Sequence, residues 1–393
     1  MIRRLGALLA AAMLASLTAS AQEPPRTLPI GFISLSDDPR FNPALAYYQI
    51  PVRPWGPALN GAELGIIDSL QIGQQIQINF SIEGANEASG AALVAAIRTW
   101  ADQGVHFVVA DLPVDVLLEV ADGVADLPVT LFNISASEDS LRGVDCRANV
   151  IHVIPSYRML TDAMVQFMVV KRWRNILVLQ GPTAEDAGMV EALRQSASLF
   201  GARIVDVRPF VVENDPRNPQ VNNVALLTAG GAYDVIYVAD RDGEFAHRVP
   251  YETNDPRPVI GSAGLVATAW HWAWERQGSP QLNARFEYFY GRHMGAVDWA
   301  AWAAVRAVTQ AALRTDSTAY EELLPYLLSD RLSLDGVKAS PMSVRSWDHQ
   351  LRQPILLATG NAVVQWAPVE GFVHATNDLD TLGVDAFQSA CRF

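Results

Sequence analysis

Short, continuous apolar runs recur along this chain, and they constrain its fold more than any other feature. Leu28–Leu35 (LPIGFISL), Val105–Ala110 (VHFVVA) and Asp234–Ala239 (DVIYVA) lack the polar alternation of a half-exposed strand. Strands of this kind are buried on both faces, as in parallel sheets covered by helices. Segments with helical spacing, such as Ala88–Gln103, lie between the runs. The alternation predicts an α/β fold with parallel sheets.

The alternation occurs twice, which predicts two doubly wound parallel-sheet lobes. A first series ends with the strand at 128–132, and a second begins with a helix at 157–171. The segments after 265 are too small to fold alone, so we expect them to complete the two lobes, with three crossings between lobes. Among the other predicted elements are a helix at 58–70, strands at 75–82, 342–347 and 354–358, and helices at 286–290 and 300–313. The predicted boundaries are 28–153 plus 265–333 for lobe 1 and 154–264 plus 334–393 for lobe 2.

The first 21 residues predict export through a cleaved signal peptide (1–21). Arg3 and Arg4 precede the apolar run Leu5–Leu17, and Ala19-Ser20-Ala21 supplies the small residues before a cleavage site. The apolar run is too short to span a bilayer, which requires about 20 residues. We therefore expect a periplasmic protein that does not insert into the membrane.

Net charge and cysteine usage narrow the functional classes. The formal net charge of −13 argues against nucleic acid and anionic lipid as partners, because both attract basic surfaces. The chain has two cysteines, Cys146 and Cys391. An even pair in an oxidising compartment predicts one disulfide, and two separate buried thiols are the alternative.

Five segments are similar to those of a known family. They are DCRANVIHVIPS (145–156), GEF (243–245), Tyr251 with DPRP (255–258), QLRQPI (350–355) and TLG (381–383). These segments resemble a subfamily of the type I periplasmic binding proteins, the substrate-binding proteins encoded beside pyrroloquinoline quinone (PQQ)-dependent alcohol dehydrogenases. The resemblance implies two lobes joined by a three-crossover hinge, a small ligand or ion between them, no cofactor, and the membrane subunits of an ABC transporter as partners.

Two positions depart from the amino acid receptors of the broader family. Those receptors hold the ligand carboxylate with hydroxyls after a lobe 1 strand, where this chain has Asp111-Leu112-Pro113. They hold the ammonium with a glutamate after a lobe 2 strand, where this chain has Ala263. Because a buried ammonium without its carboxylate is costly, both departures argue against an amino acid ligand.

Acidic side chains follow the predicted strands of both lobes. Asp37 and Asp111 follow strands of lobe 1, while Glu185, Asp240 and Arg241 follow strands of lobe 2. Ligands of open α/β sheets bind at these strand ends. Carboxylates converging there suit a cation or a polyol, and oxygen-rich sites also suit hard metal ions. The alternative is that these acids cap helices.

Aromatic residues form a second candidate set. Trp55 and Trp270 lie in or beside loops, where an indole can stack on a flat ligand or instead belong to the core.

Catalytic motifs are missing from the sequence. It contains no Gly-x-Ser-x-Gly elbow, no Walker loop and no Gly-x-Gly-x-x-Gly after a strand. We therefore predict a solute-binding protein of an ABC importer, linked to PQQ-dependent alcohol oxidation, rather than an enzyme. The alternative is an accessory protein that binds the dehydrogenase, its quinone or its metal ion without transport. Candidate ligands are an alcohol or its product, PQQ, and a metal ion such as a lanthanide.

Overall fold

The computed structural model describes residues 25–38, 40, 57–211 and 222–393. Within them, the first apolar run is an inner strand of a five-stranded sheet with the order β2-β1-β3-β4-β5. Every strand pair of this sheet is parallel, as predicted. The strands are β1 (Arg26–Leu35), β2 (Ile78–Glu87), β3 (Phe107–Asp111), β4 (Thr130–Asn133) and β5 (Val150–His152).

Helices cover both faces of this first sheet. Phe107 and Val109 of β3 enter one apolar core, and Val108 and Ala110 enter another. Successive side chains of a strand point to opposite faces, so the sheet is buried on both sides. The helices formed by this part of the chain are α1 (Leu59–Ile67), α2 (Leu70–Ile76), α3 (Gly90–Ala101) and α4 (Val114–Gly123).

A second parallel sheet has the order β7-β6-β8-β9. Ile176 and Val178 of its inner strand enter one core, and Leu177 and Leu179 enter another, so this sheet too is covered on both faces. The elements are α5 (Tyr157–Val170), β6 (Asn175–Gln180), α6 (Ala184–Phe200), β7 (Arg203–Pro209), α7 (Val224–Thr228), β8 (Val235–Ala239), α8 (Glu244–Glu252) and β9 (Val259–Gly261).

The remaining segments pack against both units. Trp299 and Leu323 join the core that contains Phe107, whereas Ala267, Ile355 and Leu357 join the core of the second unit. The chain therefore connects the two lobes three times. The elements are β10 (Val266–Thr268), α9 (Ser279–Tyr290), α10 (Ala296–Thr315), α11 (Tyr320–Leu327), β11 (Ile355–Thr359) and β12 (Ala362–Ala367), and β10-β11-β12 form an antiparallel sheet.

A buried polar cluster, which we name the junction, lies where the connections meet. Arg142 Nε donates to Gln350 Oε1 at 2.9 Å, and Gln350 Nε2 donates to the carbonyls of His152 and Ile154 at 3.1 Å each. The junction also contains the Nε atoms of Arg345 and Arg352, which donate to Asp380 Oδ1 at 2.8 Å. The junction comprises Arg142, His152, Lys338, Arg345, His349, Gln350, Arg352, Gln353 and Asp380.

The predicted strand at 342–347 is wrong. This segment makes only isolated bridges, between Leu334 and Met342 and between Val344 and Leu351. Arg345 is buried there and donates to the carbonyls of Leu379 and Leu382, so side-chain hydrogen bonds replace a strand ladder.

The predicted helix at 58–70 ends earlier, at Ile67, and a separate helix, α2, begins at Leu70. Ser69 Oγ donates to the Gly65 carbonyl at 2.7 Å, and Arg306 donates to the Asp68 carbonyl at 3.1 Å. These side-chain bonds to the backbone compete with helix continuation between α1 and α2. The strand predicted at 75–82 begins later, at Ile78, because Gln77 ends α2 in the left-handed conformation with φ 55°.

Cys146 and Cys391 form a disulfide, as predicted. It joins positions 245 residues apart and ties the C-terminal segment to the loop before β5. The predicted signal peptide lies outside the described residues, and so does Trp55. Among the described helices, none combines the length and apolarity needed to cross a bilayer.

Candidate functional site

A cavity of about 920 Å³ lies between the two lobes. Its walls include Leu35 and Asp111 at the ends of β1 and β3, and Glu185 and Arg241 beyond the ends of β6 and β8. The carboxyl ends of parallel strands from both sheets therefore face one space. Of the seven residues that we predicted to bind ligand, the structure brings Asp111, Glu185, Arg241 and Trp270 together in this wall.

Asp111 is paired with an arginine of its own lobe. Arg40 Nη2 lies 2.9 Å from Asp111 Oδ1 and 2.5 Å from Asp38 Oδ2. Burial lowers the pKa of Arg40, but Asp111 and Asp38 outweigh it and raise that pKa above the usual value. The negative charge of this part of the wall is therefore partly neutralised before any ligand arrives.

Glu185 and Arg241 pair on the opposite side of the cavity. Arg241 Nη1 lies 3.4 Å from Glu185 Oε1. The loop that carries Arg241 is fixed to the start of α6, because the Arg241 amide donates to Asp186 Oδ1 at 2.6 Å. Asp186 also forms a capping box with Thr183, so one helix terminus positions both side chains of the pair.

Asp240 and Asp37 do not line the cavity. The Asp240 carboxylate is 4% exposed and accepts the Ala246 amide at 2.8 Å in the first turn of α8. Burial raises its pKa. This geometry fits the helix-capping alternative for Asp240, and Asp37 is an exposed turn residue after β1.

Glu138 and Tyr157 also line the cavity, and sequence reasoning missed both. The Tyr157 amide donates to the Ser137 carbonyl at 2.8 Å, which joins the start of α5 to the loop after β4. Burial raises the pKa of Glu138, and the Glu185 carboxylate of the other lobe adds to that effect. The strand-end rule, had it been applied to β4, would have pointed to this loop.

Aromatic rings form another part of the wall. Trp270 is 2% exposed, stacks on Trp299 at a centroid distance of 6.1 Å, and donates from Nε1 to Asn283 Oδ1 at 3.0 Å. Trp272 is 36% exposed and stacks on His293 at 4.3 Å. Trp270 thus belongs to both the core and the cavity wall, while Trp272 offers a more accessible ring.

The charged wall contains no recognisable metal centre. Within the described ranges, no group of three or more His, Cys, Asp or Glu side chains is placed to hold a metal ion. The described wall offers instead two acid–arginine pairs, three further carboxylates (Asp115, Glu138 and Asp298), a tyrosine hydroxyl and flat aromatic surfaces. Such a wall can orient a small organic molecule by hydrogen bonds and stacking.

Solved structures share this architecture. A periplasmic binding protein from Burkholderia mallei superposes with a TM-score of 0.68 at 14% identity, covering 93% of this chain and 98% of that chain. The chain has the fold of the periplasmic binding proteins. A branched-chain amino acid transporter substrate binding protein from Streptococcus pneumoniae, in complex with isoleucine, gives 0.64 at 16% identity, covering 87% of this chain and 99% of that chain.

A third solved structure with a similar fold comes from R. palustris. This ABC transporter solute binding protein, in complex with benzoate, gives a TM-score of 0.64 at 12% identity, covering 93% of this chain and 100% of that chain. Searches against protein-family models and among curated proteins give no match. At these identities the comparisons establish the periplasmic binding protein fold, and they leave the ligand of this chain open.

Proposed function

We propose that this protein is the solute-binding component of an ABC-type importer in the periplasm. The observation that carries the proposal is the cavity of about 920 Å³, whose walls come from the strand ends of both lobes. Ligands of open α/β sheets bind at such ends, and two lobes that share a few connections can close around a solute. The three connections between the lobes form the proposed hinge.

The proposed ligand is a small organic molecule. The neighbouring proteins with this fold are described in complex with isoleucine and with benzoate, which supports this size class. Asp111 occupies the region where the amino acid receptors place hydroxyls, and Ala263 occupies the place of their glutamate. These two departures favour a ligand other than an α-amino acid.

The sequence resemblance supports a link to PQQ-dependent alcohol oxidation, and the predicted signal peptide supports the periplasmic location. We also propose the lobe boundaries 28–153 plus 265–333 and 154–264 plus 334–393, with one change: β10 (Val266–Thr268) belongs to the second lobe, because Ala267 lies in its core. Asp111, Glu185, Arg241 and Trp270 remain the proposed ligand-binding residues, and we add Tyr157 because it lines the cavity between the lobes. For Asp240 we propose support of the Arg241 loop in place of ligand contact.

A thermal-shift screen tests this function. The library contains primary alcohols, the corresponding aldehydes and acids, PQQ and a lanthanide salt. A ligand at 100 times its Kd stabilises the folded state by about 2.7 kcal/mol, which is a readily measured shift in Tm. Small-angle scattering then measures the radius of gyration, which we expect to fall as the lobes close on the ligand.

Absence of any stabilising solute would contradict the importer function. A stable complex with the dehydrogenase, formed with no decrease in the radius of gyration, would support the accessory function without transport.

A further inference from the structure

We propose that the cavity selects a flat organic solute whose head group donates hydrogen bonds and carries no negative charge, and that Glu138 receives that head group. This proposal rests on the proposed solute-binding function and names the ligand class of the same cavity. Glu138 extends from the loop after β4 and lines the cavity opposite Glu185 and Arg241 of the other lobe.

The first argument is an unsatisfied acceptor. Glu138 Oε2 is buried, and no hydrogen-bond donor of the described residues reaches it. Leaving a buried acceptor without a partner is unfavourable, and more so when the group is charged. A ligand that donates an N–H or O–H hydrogen bond to Glu138 removes this penalty. The closed, occupied state therefore contains a hydrogen bond to Glu138 Oε2 that the empty state does not.

Neighbouring arginines do not fill this role. Arg142 donates to Gln350 Oε1 and to the carbonyls of Ala136, Glu138 and Ile154. Arg40 donates to Asp38 and Asp111. Both cations lie near enough to favour the ionised form of Glu138, yet its Oε2 receives no hydrogen bond from either.

The second argument is the shape and charge of the surrounding wall. Tyr157 lies close enough to Glu138 and Glu185 that both carboxylates raise the pKa of its hydroxyl, after burial as the larger cause. A ligand carboxylate there would place its oxygens against the carboxylates of Glu138 and Glu185, and like charges in contact repel each other. The Trp272–His293 stack, with ring planes 8° apart, offers a flat surface for the rest of the molecule.

The inference orders the candidate ligands. It favours an alcohol or an amine over the acid that oxidation of an alcohol produces, and it disfavours PQQ because that quinone bears carboxylates. It also distinguishes this chain from the benzoate-bound protein of the same fold.

Isothermal titration calorimetry with three matched probes tests the proposal on the full exported chain. Benzylamine, benzyl alcohol and benzoate share one ring and differ in the head group. We expect benzylamine and benzyl alcohol to bind at least tenfold more tightly than benzoate, since a hydrogen bond to a charged group contributes about that factor. In Glu138→Gln, we expect benzylamine to lose about tenfold in affinity and the discrimination against benzoate to shrink.

The control is Glu83→Gln, the same substitution at an exposed position of β2 outside the cavity, which we expect to leave all three affinities unchanged. The wild-type ranking decides the ligand class even if Glu138→Gln does not fold. Equal or tighter binding of benzoate, or no binding of any probe, overturns the proposal. If the probes fail while another solute stabilises and compacts the protein, the ligand class is wrong and the solute-binding function stands.

Discussion

The junction and the cavity are both polar regions between the lobes, but their polar groups are used differently. In the junction, Asp380 is fully buried and accepts hydrogen bonds from Arg345 and Arg352. In the cavity, Glu138 Oε2 has no donor within the described structure. Buried charges without partners are costly, so a protein keeps one only where something else can pair with it. The junction also contains two buried imidazole nitrogens, His152 Nε2 and His349 Nδ1, that have no partner among the described residues. The difference between the two regions therefore lies in their carboxylates: Asp380 is paired within the protein, whereas Glu138 leaves one oxygen free for a solute.

The largest expected effect comes from breaking the junction with Asp380→Ala. This substitution removes the carboxylate that receives both arginines and leaves their charges buried with fewer partners. We expect the free energy of unfolding to fall by about 3–5 kcal/mol, measured by denaturant titration. Asp330→Ala, at an exposed loop position, is the matched control and should change it by less than about 0.5 kcal/mol. If Asp380→Ala hardly changes the free energy of unfolding, the paired carboxylate of the junction does not stabilise the fold, and the proposed difference between junction and cavity is wrong.

The second test compares two tryptophans of the cavity wall. Trp270→Ala should lower the free energy of unfolding by about 3 kcal/mol or more, because the ring is buried against Trp299. Trp272→Ala should lower stability far less and weaken ligand binding, because its ring is partly exposed at the cavity. Unfolding curves and calorimetric affinities of both variants give the comparison. If the two variants lose the same stability, Trp272 contributes to the core as much as Trp270 does. The distinction between the two rings would then be wrong.

The third test removes the disulfide with Cys146→Ser and Cys391→Ser together. The bond closes a segment of 245 residues, so its loss should lower the free energy of unfolding by roughly 2–4 kcal/mol. Because it ties the C-terminal segment beside the junction, we expect ligand affinity at the cavity to change little. Unfolding in the presence and absence of reductant provides an independent check on the wild-type protein.

The smallest expected effect is a pH dependence that originates in the junction. Burial lowers the pKa of His152 well below its usual value, and Arg142 and His349 lower it further; burial also lowers the pKa of His349. When the pKa of a histidine is lower in the folded state than in the unfolded state, its contribution to stability is fully present at pH values above the unfolded pKa. That contribution is lost as the pH falls from the unfolded pKa towards the folded pKa. Each such histidine can lower the free energy of unfolding by up to about 1.4 kcal/mol for every pH unit below about pH 6.5.

Asp162 acts in the opposite sense over part of that range. Burial raises its pKa to about 6, so its contribution favours the folded state at lower pH. The histidine contribution is therefore the difference between the stability profiles of wild type and His152→Asn from pH 7.5 to pH 5. Parallel profiles would show that His152 does not titrate differently in the two states.

The sequence predicted the inner strands of the two parallel sheets well, because β1, β3, β6 and β8 are continuous apolar runs. It missed the three-residue strands β5 and β10, as well as β12. It also missed α8 and α11, which contain Pro250 and Pro325. Proline normally ends a helix, so a local rule could not have placed one inside these elements.

The candidate site was predicted only in part, for a related reason. The rule that ligands bind at the carboxyl ends of parallel strands pointed to Asp111, Glu185 and Arg241, which line the cavity. The rule does not tell which acidic side chains point into the cavity. Asp240 directly precedes Arg241, yet its side chain turns to the first turn of α8. The pairing of Arg40 with Asp111 spans 71 positions and depends on the tertiary fold, so the sequence suggested a more acidic cavity than the structure contains.

Trp270 and Trp299 together give the molecule an optical consequence. Their ring planes are 6° apart, and the amino group of Lys338 lies 3.6 Å from the centroid of the Trp299 ring. Two nearly parallel indoles couple their electronic transitions, so the pair should contribute a near-ultraviolet circular dichroism band of its own. Trp270 lines the cavity, so a solute that moves Trp270 changes that band without any attached label.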